Sequence, residues 1–333
     1  MRRVLTIFLV GVWACQSSEP KTTPWPEPVL PEGVPAIPTV ARNPTTVEGV
    51  ALGRKLFFDG GLSANGRVSC MTCHRPGMAF TDGRALSRLG VSGNALLRHA
   101  PPLLNMAWGE GFFWDGGAAD LESQAYGPLQ HPDEMGKDLE ELKRYLGQHP
   151  EYPPMFKAAF GDDAKIDDVE VARALAQYQR TLISFHSRWD AWQAGEGSLS
   201  ELELQGWEVF QANCASCHEP PLFTDHGYHN NGLDASWPAG DEGIYQGRYR
   251  ITLDSADMGA FKTPTLRNVT RTRPYMHDGR FKTIDEVLDH YSHGIQPSVT
   301  LAPALENGIS LNEEDRAALI AFLRTLTDQE LPH

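Results

Sequence analysis

The sequence contains Cys70-Met71-Thr72-Cys73-His74 and, past its midpoint, Cys214-Ala215-Ser216-Cys217-His218. Both stretches have the form Cys-x-x-Cys-His, in which two thiols can form thioethers with the vinyl groups of one haem and the adjacent histidine can ligate its iron. A redox-active dithiol would not need the histidine, and a zinc site would have to gather four distant thiolates and leave both histidines without a role. The sequence therefore predicts two covalently bound c-type haems.

The fifth cysteine lies at the end of an N-terminal leader. Two arginines precede an apolar run over residues 4–12, which is too short to span a bilayer and is typical of an export signal. The small Ala14 before Cys15 resembles a bacterial lipobox, in which the cysteine is acylated, although an ordinary signal peptide cleaved nearby is an alternative. We therefore expect residues 1–15 to be a lipoprotein signal peptide, lipidation at Cys15, and an outer-membrane lipoprotein on the periplasmic side that contacts the membrane only through its lipid anchor.

Composition divides the rest of the chain. Residues 16–44 are rich in proline, serine and threonine, which predicts a flexible tether. The remaining length suits two domains with one haem each, which we expect over residues 45–195 and 196–333. The net charge of −14 makes nucleic acid an unsuitable partner and suits a basic electron-carrier protein, although plain solubility explains the charge equally well.

Helical patterns dominate both predicted domains. A glycine and a phenylalanine four residues apart precede each haem motif, as Gly53 with Phe57 and Gly206 with Phe210. Amphipathic stripes also occur twice, and their members are Val171, Leu175, Tyr178 and Leu182, then Leu319, Phe322, Leu323 and Leu326. Capping boxes are predicted at Thr45-x-x-Glu48, Ser198-x-x-Glu201 and Ser310-x-x-Glu313. These patterns predict an all-α fold of two tandem cytochrome c-like domains, each with one covalent haem.

The chain resembles the bacterial di-haem cytochrome c peroxidases and their MauG-like relatives, from about Thr45 to Leu326. The matching stretches include Gly53-Arg-Lys-Leu-Phe-Phe-Asp59, Phe113-Trp-Asp-Gly116, Gln124-Ala-Tyr-Gly-Pro128, Lys262-Thr-Pro-Thr-Leu-Arg-Asn268 and Pro274-Tyr-Met-His-Asp-Gly279. The resemblance implies that residues 45–195 form an N-terminal peroxidatic haem domain, where hydrogen peroxide reacts. It implies that residues 196–333 form a C-terminal electron-transfer haem domain.

In such proteins a glutamate and a glutamine lie in the peroxide pocket, and these positions match Glu134 and Gln124. Cleavage of the peroxide bond requires that one oxygen lose a proton and the other gain one, which a single carboxylate can do. Pro128 matches the residue that limits the space above the iron. Without the resemblance, Glu134 would be interpreted as a solvated charge at a helix start.

Trp114 matches a tryptophan that lies between the two haems in this family, where an indole can carry a hole. Ordinary packing against its neighbours Phe112 and Phe113 explains the same residue, and both interpretations can hold together.

Two positions depart from the pattern of peroxidases that need reductive activation. Their distal histidine ligand matches Val91, which cannot ligate iron, so we expect an open coordination position at the first haem; His99, the other histidine of this loop, is a weaker candidate ligand. At the second haem, Tyr291 takes the place of a methionine ligand, as in MauG-like members. Met276 and Met258 are the alternative ligands. The choice matters because a thioether ligand raises the reduction potential of the haem, whereas a phenolate lowers it.

A calcium ion lies between the domains in many relatives. Thr272 and Pro274 match two of its backbone carbonyl ligands. The position of its asparagine ligand matches His99, which is a poor donor for a hard cation. The resemblance therefore implies a calcium site that is weakened in this chain.

The function expected from the resemblance is reduction of hydrogen peroxide to water with electrons from a small cytochrome c or cupredoxin. A MauG-like oxidase that modifies residues of a protein substrate is the alternative within the family. A non-catalytic di-haem electron-transfer lipoprotein is the alternative of another class. The sequence leaves open whether the protein is a monomer or a dimer.

Overall fold

The computed structural model describes residues 22–237 and 244–332, so the leader and Cys15 lie outside the described residues. No helix within these two ranges has the length and apolar content that crossing a membrane requires. The described helices of the first half are α1 (Val47–Phe58), α2 (Cys70–Cys73), α3 (Leu121–Gln124), α4 (Tyr126–Gln130), α5 (Leu139–Gln148), α6 (Tyr152–Phe160) and α7 (Asp168–Arg180). Those that follow are α8 (Arg188–Gln193), α9 (Glu201–Asn213), α10 (Tyr249–Thr252), α11 (Ile284–Asp289) and α12 (Glu313–Thr325).

The sheet content is small, as the predicted all-α class requires. Strand β1 (Tyr228–His229) pairs antiparallel with β2 (Phe261–Lys262), and no other strand occurs in the part of the chain that the structure describes. Strand β2 also receives a contact from the first half, because Lys262 N donates to Trp114 O at 2.8 Å. The strand pair therefore connects the second half to the loop that carries Trp114.

A close helix crossing forms the centre of each half. Helix α1 packs on α7, where a Cβ at Gly53 would lie 1.9 Å from Ala174 O, and α9 packs on α12, where a Cβ at Gly206 would lie 1.9 Å from Ala318 O. All eight residues of the two predicted amphipathic stripes are buried. The duplicated element that the sequence predicts is confirmed, and glycine is required because the neighbouring backbone fills the place of a side chain.

We expect Gly206→Ala to lower the free energy of unfolding by about 1–3 kcal/mol, because the added methyl group overpacks the crossing of α9 and α12. Gly147→Ala is the matched control, since nothing lies within 4 Å of a Cβ there, and alanine should stabilise helix α5 by up to about 1 kcal/mol. Denaturant unfolding of the holoprotein measures both changes. Equal stability of the two variants would contradict the close approach.

The predicted capping boxes are one or two residues out of place. The N-cap of α1 is Thr46, whose side chain accepts from Gly49 N, and that of α9 is Ser200 with Glu203. Helix α12 begins after Asn312, which accepts from Asp315 N. Each region offers several adjacent capping residues, and packing of the apolar face decides which of them starts the helix.

The flexible tether over residues 16–44 stays a prediction, although its described part makes contacts with the first half. Trp25 N donates to Thr45 O and Trp108 Nε1 donates to Pro35 O, both at 3.0 Å. The segment is thus attached to the first half at these two points. Aromatic and backbone contacts hold a proline-rich stretch that composition alone describes as a linker.

The boundary predicted between residues 195 and 196 does not coincide with the boundary between the two cores. Trp189 packs into the second core, with its ring centroid 5.7 Å from Phe223 and 5.4 Å from Phe322. Helix α8 therefore contributes to the second core although it precedes the predicted boundary.

Candidate active site

One cavity of the first half, with a volume of about 620 Å³, gathers the residues assigned to the peroxide site. Its wall includes Cys70, Cys73, His74, Gln124, Pro128 and Glu134. These residues come from three separate segments, namely α2 with the residue after it, α3 with α4, and the loop before α5. The fold therefore places the carboxylate and the amide in the same cavity as the histidine of the first motif.

Three of the four motif cysteines have raised pKa values. Burial raises the pKa of Cys70 to about 12 and that of Cys73 to about 11, and it raises the pKa of Cys214 to about 12. A reactive dithiol needs a lowered pKa, because the thiolate is the reacting form. The environments of these three cysteines do not suit a redox dithiol, and they fit thioether bonds to a haem.

Both motif histidines are oriented by the same kind of hydrogen bond, from ring Nδ1 to a backbone carbonyl. His74 Nδ1 donates to Phe80 O at 2.8 Å, and His218 Nδ1 donates to Phe223 O at 3.2 Å. Phe80 and Phe223 have positive φ angles of 60° and 56°, which a bulky residue adopts only where its surroundings impose it. Burial lowers the pKa of each imidazole. A neutral ring that donates through Nδ1 keeps its Nε2 lone pair for a metal, as a haem ligand must.

The loop that carries Glu134 is held by its backbone. Glu134 N donates to His131 O at 3.0 Å, and Val91 N donates to Glu134 O at 2.8 Å. Burial raises the pKa of the Glu134 carboxyl above its usual range. The side chain is therefore a partly desolvated acid whose position depends on contact with the loop around residue 91.

Val91 packs against the first core, and its neighbour Gly90 lines the cavity. Among the described residues, His74 is the one histidine in the cavity wall. His99, the competing candidate, instead lines the second cavity.

The second cavity, of about 1610 Å³, contains the second motif. Cys214, Cys217, His218, Met276 and Tyr291 all line it. Asn231 Nδ2 donates to Tyr291 Oη at 3.4 Å and lies 3.5 Å from Met276 Sδ, so both candidate ligands approach the same place. Met258 is not part of the described wall.

Tyr291 lies in a π-helical turn over His290–Gly294 that follows α11. Burial raises the pKa of its phenol. An anionic phenolate at this position therefore requires a nearby cation, which ferric iron would supply.

Trp114 lines the second cavity. Its indole Nε1 donates to His99 O at 2.8 Å, and its backbone carbonyl accepts from Lys262 N of β2 at 2.8 Å. The residue is thus held through its indole by the first half and through its backbone by the second.

Sequence reasoning missed two buried polar side chains in the cavity walls. Gln179 of α7 lines the first cavity, and its Oε1 has no hydrogen-bond partner. His277 lines the second cavity, stacks on Phe261 at 3.7 Å, and has no partner at either ring nitrogen. The motif around Pro274 contains His277 and could have indicated it, whereas nothing in the sequence distinguishes Gln179 from the polar face of a helix.

The residues implied for calcium lie along the second cavity. Thr272, Pro274 and His99 all line its wall, and His99 Nδ1 donates to Arg84 O at 2.7 Å. Calcium prefers oxygen ligands, and the histidine offers none from its side chain.

Comparisons with known proteins agree with this arrangement. Residues 47–198 match the family model described as di-haem cytochrome c peroxidase, and residues 204–327 match that of cytochrome c. The methylamine utilization protein MauG of Methylorubrum extorquens is 40% identical over 294 residues, which cover 87% of this chain and 81% of that protein. Cytochrome c551 peroxidase of Nitrosomonas europaea is 32% identical, with 91% and 86% covered. The crystal structure of a MauG-like protein associated with microbial copper homeostasis superposes with a TM-score of 0.82, at 33% identity over 90% of this chain and 95% of that one.

Proposed function

The chain belongs to the di-haem cytochrome c peroxidase and MauG family, and from this premise we propose that it reduces hydrogen peroxide to water. As a family member it is an oxidoreductase with haem c in two cytochrome c-like regions. The observation that carries the proposal is the shared cavity of His74, Glu134 and Gln124. The predicted export signal agrees with it, because c-type haem is attached outside the cytoplasm.

Cys70, Cys73 and His74 would hold a haem in this cavity, and that haem would supply the redox chemistry for peroxide reduction. The Glu134 carboxylate removes a proton from one peroxide oxygen and delivers it to the other, which leaves as water. The Gln124 amide hydrogen-bonds the peroxide or its water, and Pro128 restricts the space. Two electrons and two further protons complete the conversion of one hydrogen peroxide to two water molecules.

The electrons come from a donor at the second half, which we propose to be a small cytochrome c or cupredoxin. They pass from the His218 region to the His74 region by way of Trp114. The net charge of −14 favours a donor with a basic surface.

A second candidate is a MauG-like oxidase, in which residues of a partner protein supply the electrons. Tyr291 at the second cavity favours it, because a phenolate ligand stabilises the oxidised state of the iron. Val91 adds to it, since an open position at the first haem removes the need for prior reduction.

Stopped-flow mixing of the oxidised holoprotein with hydrogen peroxide tests the proposal. We expect a change in the haem spectrum with one equivalent of peroxide and cyanide binding to one haem. Rapid steady-state oxidation of a reduced small cytochrome would favour the peroxidase, and slow oxidation after a fast haem reaction would favour the oxidase. If peroxide reacts with neither the oxidised nor the half-reduced protein, the protein is a non-catalytic electron carrier.

We expect Gly90→Ala to slow the peroxide reaction by about 10–100-fold, because displacement of the catalytic loop by about an ångström is costly. A Cβ at Gly90 would lie 1.8 Å from Asp133 O and 2.9 Å from Glu134 O. The control is Gly77→Ala, where nothing lies within 4 Å. The measurement is the rate constant of each variant with peroxide at equal haem content. An unchanged rate in Gly90→Ala would show that the position of this loop does not affect the reaction.

A further inference from the structure

A third cavity, of about 690 Å³, lies where the two halves of the molecule meet. Met106 and Phe113 of the first half and Leu222 and His226 of the second half contribute to its wall. Its volume lies in the range of about 300–1,000 Å³ that is usual for small-molecule sites. Trp114 lines both this cavity and the second cavity. A molecule in the third cavity would therefore lie beside the residue that also borders the second haem motif.

One nitrogen in this wall has free hydrogen-bonding capacity. Two threonines of the wall already donate to the backbone: Thr224 Oγ1 donates to Thr263 O at 2.7 Å. Thr265 Oγ1 donates to Leu222 O at 2.6 Å. His226 differs, because its Nε2 is buried and has no hydrogen-bond partner. Burial lowers the pKa of this ring, and in the tautomer with its proton on Nδ1, the neutral ring accepts through Nε2.

The remainder of the wall suits a flat aromatic molecule. Phe112, Phe113 and Trp114 follow one another along the chain, and all three line the cavity. Aromatic side chains pack well against other rings. A buried acceptor without a partner costs free energy, which a ligand hydroxyl can recover by donating to His226 Nε2. An aromatic ring that carries one hydroxyl group meets both requirements.

We propose that the third cavity binds a small phenol, which is oxidised there by Trp114 with His226 as proton acceptor. The binding site stands on its own geometry, whereas the oxidation rests on the proposed function. It adds a small organic reductant to the protein donor proposed above.

The reaction balances with hydrogen peroxide as the oxidant. Each phenol gives one electron to Trp114, when the indole carries a hole, and one proton to His226 Nε2. The O–H bond breaks, and a phenoxyl radical leaves the cavity. His226 then returns the proton to solvent. Two phenols and one hydrogen peroxide thus give two phenoxyl radicals and two water molecules.

Isothermal titration of the oxidised holoprotein with p-cresol tests the binding site. Cyanide is present in excess to occupy any open haem position. We expect one p-cresol per chain, and we expect 4-methylanisole to bind about tenfold or more weakly, because an ether cannot donate to the buried nitrogen. Absence of saturable p-cresol binding, or equal affinity for the two ligands, would overturn the proposal without any need for a variant.

Substitution of His226 identifies the partner of the hydroxyl. His226→Leu should lose the preference for p-cresol over 4-methylanisole, and His226→Gln should keep it, since the amide oxygen can accept. His186→Leu, at an exposed histidine, should match the wild type. A preference that persists in His226→Leu would show that this nitrogen does not bind the hydroxyl.

Turnover of p-cresol with hydrogen peroxide tests the oxidation. We expect His226→Leu to raise KM and lower kcat, each by about tenfold or more. His226→Gln should restore KM but not kcat, because an amide accepts a hydrogen bond but does not take up the proton. If the wild type reacts with peroxide but consumes no bound p-cresol, the oxidation is refuted. If p-cresol binds as expected and peroxide does not react, the proposed function fails while the binding site stands.

Discussion

Glu134→Gln will slow the reaction of the oxidised holoprotein with hydrogen peroxide by about 10²–10⁴-fold, the usual contribution of a general acid–base group. The amide keeps the size of the side chain but cannot accept and return the proton. Stopped-flow absorption at equal haem content measures the rate constant.

The control for this variant is Asp133→Asn, one residue earlier in the same loop. Asp133 Oδ1 accepts from Asn94 Nδ2 at 2.9 Å, and Asp133 is not part of the cavity wall. Removal of its charge should leave the rate within about threefold of the wild type, since it makes no contact in the cavity. A Glu134→Gln protein that still reacts at the wild-type rate would exclude this carboxylate as the acid–base group.

The same substitution should change the pH profile. Because burial raises the pKa of Glu134, the neutral acid persists to higher pH than for an exposed glutamate. The carboxylate must be ionised to take the first proton. The wild-type rate should therefore be low at pH values below this raised pKa and should rise as the pH passes through it. We expect Glu134→Gln to lose this rise and Asp133→Asn to retain it.

Tyr291→Met will raise the reduction potential of the second haem by on the order of 0.2 V, because a neutral thioether favours reduced iron and an anionic phenolate favours oxidised iron. Spectroelectrochemical titration gives the potential, and electron paramagnetic resonance of the oxidised protein identifies the low-spin ligand set. With a raised potential, the ferric second haem should no longer be oxidised further by the first haem. It should then give an electron to the first haem only after it has been reduced.

Met276→Leu is the matched control, because Met276 and Tyr291 approach the same amide of Asn231. If Tyr291 is the ligand, this variant should keep the wild-type potential and low-spin signal. The opposite pattern, with a large change in Met276→Leu and none in Tyr291→Met, would assign the methionine as the ligand.

Much of the fold could be predicted because its determinants are local. The two haem motifs, the glycine before each of them and the apolar stripes specify a duplicated helical unit within short segments. Helix starts were less predictable, since Thr45 and Thr46, or Ser198 and Ser200, are equally good caps before packing is known. The contact of the proline-rich segment with the first half was not predictable, because composition does not reveal that Trp108 Nε1 can reach Pro35 O.

The candidate site was predictable where a family pattern names a residue, as for Glu134 and Gln124. It was not predictable where the role depends on a neighbour distant in the chain. His99 is an ordinary loop histidine in sequence, and only the fold brings its Nδ1 to Arg84 O and its backbone carbonyl to the Trp114 indole. The free nitrogens of His277 and the free amide oxygen of Gln179 likewise become visible only after folding.

By itself the sequence determined the covalent chemistry of this protein, its duplicated helical architecture and its family, because residue type and short spacing suffice for each. Only the tertiary structure decided which side chains share a cavity, how the motif histidines are turned and what joins the halves beside Trp114. The physical reason is that burial, hydrogen-bond partners and close contacts belong to pairs of segments, and a linear pattern does not contain the distance between them.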